Sequence, residues 1–167
     1  LPVEPTVNRT GSGRKEREDS MGIYLNETSA YGQFQRDSSL IYYVDKTEIL
    51  ADLVPLVEGK GQRYVAITRP RRFGKTVMAN MIASYFGRGI DSQREFDALH
   101  VSRYPWYKKH LNQHNVIRIA FNELSGERIT SYSQYIGGIK ETLLEDLTRA
   151  FPSAGIRDTD TVWRALT

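Results

Sequence analysis

Arg69-Pro70-Arg71-Arg72-Phe73-Gly74-Lys75-Thr76 is the stretch whose reading decides the fold. It follows a short apolar run, Tyr64-Val65-Ala66-Ile67. It leads into a helical pattern that carries Val77, Met78, Met81, Ile82, Tyr85 and Phe86 on one face. A strand, a tight basic loop ending in Gly-Lys-Thr, and a helix make the layout of a phosphate-binding loop. The run from Arg63 to Thr68 is nearly continuous in apolar residues, as expected of a strand covered on both faces in a parallel sheet. Gly87 and Gly89 mark the end of the helix.

The chemistry follows from the residue types. A bound triphosphate needs converging backbone N–H groups, a cation and a ligand for Mg²⁺. A loop wound into a helix N-terminus supplies the N–H groups, and the helix dipole favours the negative charge. Arg71, Arg72, Phe73, Gly74, Lys75 and Thr76 are therefore the expected nucleotide-binding residues. Gly74 lets the backbone approach closely. Lys75 reaches the β- and γ-phosphates, and the Thr76 hydroxyl holds Mg²⁺. Arg71 and Arg72 divide between two tasks, one on the ligand and one elsewhere; a neighbouring subunit's nucleotide and an acid are the other partners open to them. The octet departs from the usual G-x-x-x-x-G-K-[ST] at its start, where Arg69 stands in place of Gly, and Pro70 has no N–H to donate. The plain alternative is a basic turn that happens to lead into a helix.

The bulk numbers fit a folded domain. The chain has 167 residues, 40% hydrophobic and 26% charged, which suffices for a core and argues against overall disorder. No apolar run approaches the roughly 20 residues of a membrane span, and no secretory signal opens the chain; a cytoplasmic location is the default expectation. The absence of cysteine excludes disulfides and thiolate metal sites. The net charge is +3 and the pI about 9.1. The densest basic cluster is Arg69, Arg71, Arg72 and Lys75, and a nucleotide phosphate is its simplest partner.

In chain order, residues 1–20 are polar and aperiodic and read as a disordered tail. Met21 is the first methionine, and the preceding residues are either sequence upstream of a start at Met21 or a genuine flexible tail. Residues 21–167 form the expected domain. Short aromatic-rich runs fill Met21 to Val44, with Leu40 to Val44 extended. Asp45 reads as a helix N-cap, completed by Glu48 as a capping box, ahead of Ile49, Leu50, Leu53, Val54 and Val57; Pro55 interrupts this helix and leaves its end open. Asp91 to Leu99 is a short helix, Asn115 to Phe121 a second strand, and Ser131 to Phe151 a long helix. Asp158 or Asp160 caps a last helix with Val162, Trp163 and Leu166. Alternating strands and helices point to an α/β sandwich with a mostly parallel sheet.

Other residue groups were weighed against plainer roles. His110 and His114 are four apart and face a metal together only if both lie on one helix; Asn112 and Asn115 suggest that the helix ends there, and no third ligand stands out. Tyr104, Trp106 and Tyr107 suit base stacking or, more ordinarily, the edge of a core. Glu123 follows the second strand, at the end where ligands sit in open parallel sheets, or is a plain loop carboxylate.

MGIYLN at 21–26, YVDKTEIL at 43–50 and RPRRFGKT at 69–76 resemble the bacterial AAA-ATPase-like family. Its phosphate loop reads R-P-R-R-F-G-K-[ST], so the resemblance makes Arg69 a family feature. It implies a P-loop NTPase with a three-layer α/β sandwich, ATP and Mg²⁺ as ligands, and an acidic Walker B strand downstream. It also implies, in many members, a nuclease-like C-terminal domain. No apolar run ending in Asp-Glu follows the second strand here, so the chain reads as the N-terminal part of such a protein, incomplete at its C-terminus and without catalytic residues of its own. A nucleotide-dependent switch or scaffold, or the ATPase module of a nucleic-acid-processing protein, shares the same loop.

Overall fold

A computed structural model describes residues 22–60, 64–121, 131–156 and 158. The polar tail, Met21, Arg63, Glu123 and the helix expected at Val162–Leu166 lie outside the described residues. In chain order the helices are α1 (Ser29–Ser38), α2 (Ile49–Val57), α3 (Lys75–Phe86), α4 (Gln93–Asp97), α5 (Tyr107–His110) and α6 (Tyr132–Ala150), with 3-10 turns at His100–Arg103 and Pro152–Ala154.

Helix α3 is the centre of the larger apolar cluster. Met78, Met81, Tyr85 and Phe86 are buried there with Phe34 of α1, Leu50 and Val54 of α2, Phe96 of α4 and Tyr107 of α5. Each fully buried side chain of this size is worth roughly 1.5–3 kcal/mol, which explains how helices as short as α4 and α5 hold together. The end of α3 is tight: a Cβ on Gly87 would stand 2.6 Å from the Ala83 carbonyl oxygen. The last carbonyls of the helix have no intrahelical donors. Asn112, in the left-handed region at φ 56°, supplies them, its amide donating to Ser84 O at 2.9 Å and Gly87 O at 3.1 Å. Tyr104, Trp106 and Tyr107 belong to the same cluster: Tyr104 and Trp106 stack at 4.8 Å, and Tyr107 is buried. Their ordinary reading as core residues is the right one.

The expected three-layer sandwich with a mostly parallel sheet is not what forms. Among the described residues there is no β-strand; two isolated bridges stand in for the sheet, Leu25 with Ile117 (antiparallel) and Gly87 with His114 (parallel). The segment expected as the first strand has no regular structure and faces solvent, with Val65 53% and Ile67 36% exposed. The physical reason is that strand-like composition supplies no partner, whereas a ladder needs neighbours whose backbones run alongside for several residues. The second expected strand finds only short matches. Asn26 makes one of them, its N–H donating to Val116 O and its side-chain oxygen accepting the Val116 N–H, both at 2.8 Å. The architecture is helical in the described residues, and the α/β assignment is corrected accordingly.

A second, smaller cluster joins Tyr24 to Ile139 and Leu143 of α6, with Ile117 and Ile119 packed against it. Ser131 caps α6, accepting the Gln134 N–H at 3.2 Å. Asp146 secures the assembly. It is only 2% exposed, and its carboxylate accepts the N–H groups of Ile23 at 3.0 Å, Tyr24 at 2.7 Å and Leu25 at 3.1 Å. Any Cβ on Gly22 would fall 2.2 Å from the Asp146 carboxyl carbon, so glycine is required for the approach. Among the described residues, no helix is long and apolar enough to cross a membrane.

Asp146→Ala leaves three amides without their acceptor. It is expected to lower stability by about 3 kcal/mol, the scale of a lost buried charge-assisted group. Asp146→Asn, which keeps one oxygen, should lose less. Urea denaturation of the three proteins checks the order, and an unchanged midpoint for Asp146→Ala would show that the amides find other partners.

Candidate phosphate-binding loop and adjoining pocket

The Arg69–Thr76 octet is a compact turn that starts α3. Two residues place the backbone in the left-handed region, Arg72 at φ 68° and Gly74 at φ 72°. For Gly74 this conformation is free of Cβ strain; for Arg72 it costs roughly 1 kcal/mol or more. Gly74 is the N-cap residue, and no side chain caps the helix, so the first-turn amides of α3 lack the usual side-chain acceptor. The Gly74 carbonyl accepts the first helical bond from Met78 N at 2.9 Å. Lys75 turns back over the loop, its Nζ donating to Arg69 O at 2.5 Å and Pro70 O at 3.1 Å. Arg71, Arg72, Phe73, Lys75 and Thr76 are exposed, and Gly74 is half-buried. The expected binding residues are thus brought together on one accessible loop and the first turn of one helix.

Beside the loop lies a pocket of about 390 Å³, within the range of roughly 300–1,000 Å³ typical of small-molecule sites. Leu40, Tyr43 and Val44 form one wall, and Phe73, Val77 and Met81 the other. Arg72, Gly74, Lys46 and Asp37 complete it. Burial, with the Asp45 and Asp37 charges behind it, pushes the Tyr43 phenol up to about 12, so this group stays a hydrogen-bond donor at neutral pH.

The wall is held by two anchors. Asp45 accepts the Thr47 N–H at 2.8 Å and the Thr47 hydroxyl at 2.7 Å through one oxygen, and the His100 N–H at 2.7 Å through the other. Burial pushes the Asp45 carboxyl up, but the bonds from His100 and Thr47 outweigh it and hold the group below its ordinary value. Thr47, fully buried, accepts the Val101 N–H at 3.1 Å. The capping box expected of Asp45 and Glu48 does not form: α2 begins at Ile49 behind Glu48, with no side-chain cap. Asp45 instead fastens the Tyr43–Thr47 segment to the 3-10 turn at His100–Arg103.

Sequence reasoning found the loop and missed the pocket. Tyr43, Val44 and Lys46 lie in YVDKTEIL, which carries the family resemblance, and Leu40 in the stretch Leu40 to Val44 expected to be extended; none of them was assigned to a site. The signal was the motif's composition, a lysine set between two short hydrogen-bonding residues. Thr76 is placed at the second position of α3; among the described residues no group of three or more His, Cys, Asp or Glu gathers to hold a metal.

The AAA-ATPase-like family model, described as predicted AAA-ATPase, matches residues 28–161, a span that contains the pocket wall, the loop and α3. No curated protein and no solved structure matches the chain.

The histidine pair is occupied by protein contacts. His110 Nδ1 and His114 Nε2 lie 2.9 Å apart, the rings stack at 5.2 Å, and His110 Nε2 meets Glu58 Oε1 at 3.2 Å. Glu58 also pairs with Lys109 and Lys60. Burial lowers the His114 pKa, helped by the nearby charges of His110 and Arg88. The bonds from Lys109, then Lys60, then His110 bring Glu58 down to about 2. A histidine with a depressed folded-state pKa binds more protons when unfolded, so stability is lost as pH falls below its ordinary value of 6.5. A carboxyl depressed from 4.5 to about 2 loses its contribution between those two values. The thermal midpoint should therefore decline in two steps on acidification. His114→Gln should flatten the upper step and Glu58→Gln the lower, as read by thermal melts from pH 8 to 3.

Proposed function

We propose that this chain, which belongs to the predicted AAA-ATPase family, binds ATP with its phosphates on the Arg69–Thr76 loop and its base in the adjoining apolar pocket. One observation carries the reading: the loop and the pocket are continuous, because Arg72, Phe73 and Gly74 also line the pocket. A nucleotide has the same division, a polyanion joined to a flat apolar base. The loop acts as a Walker A element. Its Gly74 leaves the backbone open to approach, and α3 directs its uncapped first turn toward the phosphates. Asp37 contributes a carboxylate to the pocket lining, the type of acceptor taken by the exocyclic amine of adenine.

Lys75 changes partners on binding in this proposal. It leaves two neutral carbonyls for charged phosphate oxygens, and charge-assisted bonds are roughly twice as strong as neutral ones. Mg²⁺, when bound, supplies further neutralisation of the phosphate oxygens, and Thr76 is the residue that holds it with the nucleotide. The proposal for these residues is binding. Turnover needs a carboxylate to orient water, and none of the loop residues is an acid.

Calorimetric titration with Mg-ATP tests the loop. Lys75→Ala should weaken binding about 10- to 100-fold, the equivalent of a lost charged hydrogen bond; equal affinity would overturn the assignment. The pocket has its own test. Val77→Trp, which fills the cavity from α3, should weaken Mg-ATP at least about fivefold and leave inorganic tripolyphosphate unchanged. Equal effects on both ligands would remove the base from the pocket.

A further inference from the structure

We infer that Lys46 is a second cation for the nucleotide's phosphates, delivered from the pocket wall; this rests on the binding reading above. A Cβ placed on Gly74 would stand 3.4 Å from Lys46 Nζ. The ammonium therefore hangs beside the loop residue that immediately precedes Lys75, at the junction of loop and pocket. Nothing in the sequence spacing foretold this, since 28 residues separate the two lysines.

The placement is built. Asp45 and Thr47, on either side of Lys46, are both engaged with the 3-10 turn at His100–Arg103. That leaves the residue between them on the opposite side, over the loop. Lys46 is itself exposed, and among the described residues no carboxylate lies within ion-pair distance of it. Asp45, the nearest acid in sequence, has its oxygens committed to Thr47 and His100. Glu48 lies 3.8 Å from His100 Nδ1, and Asp37 shares the pocket lining without an ion pair to Lys46. The loop beside it carries Arg69, Arg71, Arg72 and Lys75 and no acid. Concentrating like charges in this way is unfavourable by itself. A polyanion reverses the sign of that term, and Lys46 adds to it a mobile donor of three N–H bonds.

Position selects the phosphates. Lys46 approaches from the pocket side and meets the loop at Gly74, before the helix begins. It is therefore assigned to the phosphates nearer the base, which ATP and ADP share, while Lys75 serves the terminal end.

Titration of the whole chain with Mg-ATP and with ADP, for wild type, Lys46→Gln, Lys46→Arg and Lys75→Ala, tests the assignment. Lys46→Gln should weaken both nucleotides together, about tenfold, with no change in the thermal midpoint of the ligand-free protein. Lys46→Arg should stay within about threefold of wild type. Wild-type affinity in Lys46→Gln, alongside weakened binding in Lys75→Ala, would overturn this inference and leave the loop assignment standing. Equal losses in Lys46→Gln and Lys46→Arg with a lowered ligand-free midpoint would overturn it in favour of a packing role. If Lys75→Ala itself binds like wild type, the loop assignment falls and takes the role of Lys46 with it.

Discussion

The burial of Tyr85 is the constraint on which the rest depends. Its ring meets Phe96 edge-on at 5.4 Å, Trp106 at 6.3 Å and Tyr107 face-on at 6.2 Å. Its hydroxyl donates to the Tyr107 carbonyl at 2.7 Å. A large aromatic side chain with a satisfied hydroxyl combines hydrophobic gain with directional placement. The residues around it come from α4, the Tyr104–Tyr107 turn and α5, elements too short to persist alone. They are held by Tyr85, and they hold α3 in return. Because α3 starts at Lys75, fixing its far end also fixes the direction in which the loop delivers its backbone.

What the sequence made legible follows from the range of each interaction. Helices α3 and α6 were readable because their apolar residues recur at helical spacing. Helix α1 was not readable. Only Ala30 and Phe34 are buried on it, and much of its contact is polar: Tyr31 donates to the Asp91 carbonyl, and Asn80 to Gln33. A periodicity argument has nothing to act on there. The sheet was misjudged for a related reason. Tyr64–Ile67 and Val116–Ile119 have strand-like composition, but composition does not say which backbone runs beside which. The partners actually used are local substitutes, such as the side chain of Asn26 bonded to Val116.

The candidate site divides the same way. The loop was legible because its six assigned residues are contiguous, and Gly74 takes the left-handed conformation that its identity allows. Arg72 shares that conformation with no such signal in its identity. The pocket was not legible, because its facing wall is set by hydrogen bonds that Asp45 and Thr47 accept from backbone N–H groups 55 and 54 positions downstream. A capping box was the natural local reading of Asp45 and Glu48. Asp45 instead accepts from Thr47, two residues on, and from the His100 N–H, while the buried Val101 N–H finds its acceptor in the Thr47 hydroxyl.

Loop and pocket wall now appear as two bodies with a shared anchor. Asp45 and Thr47 tie the wall to the His100–Arg103 turn, and Val101 of that turn is buried in the cluster that contains Tyr85. The loop is tied to the same cluster through α3. Wall and loop are thus each tied to the same core. Such an arrangement leaves a gap whose geometry is stiff and whose electrostatics is unbalanced. In the ligand-free geometry Lys75 spends its charge on two carbonyls of its own loop. On the proposed binding, a phosphate that takes Lys75 releases two carbonyls of the loop, in which Arg72 holds a left-handed conformation. On that reading the aromatic core positions α3 and the pocket wall, and the basic loop is where Lys75 changes partners.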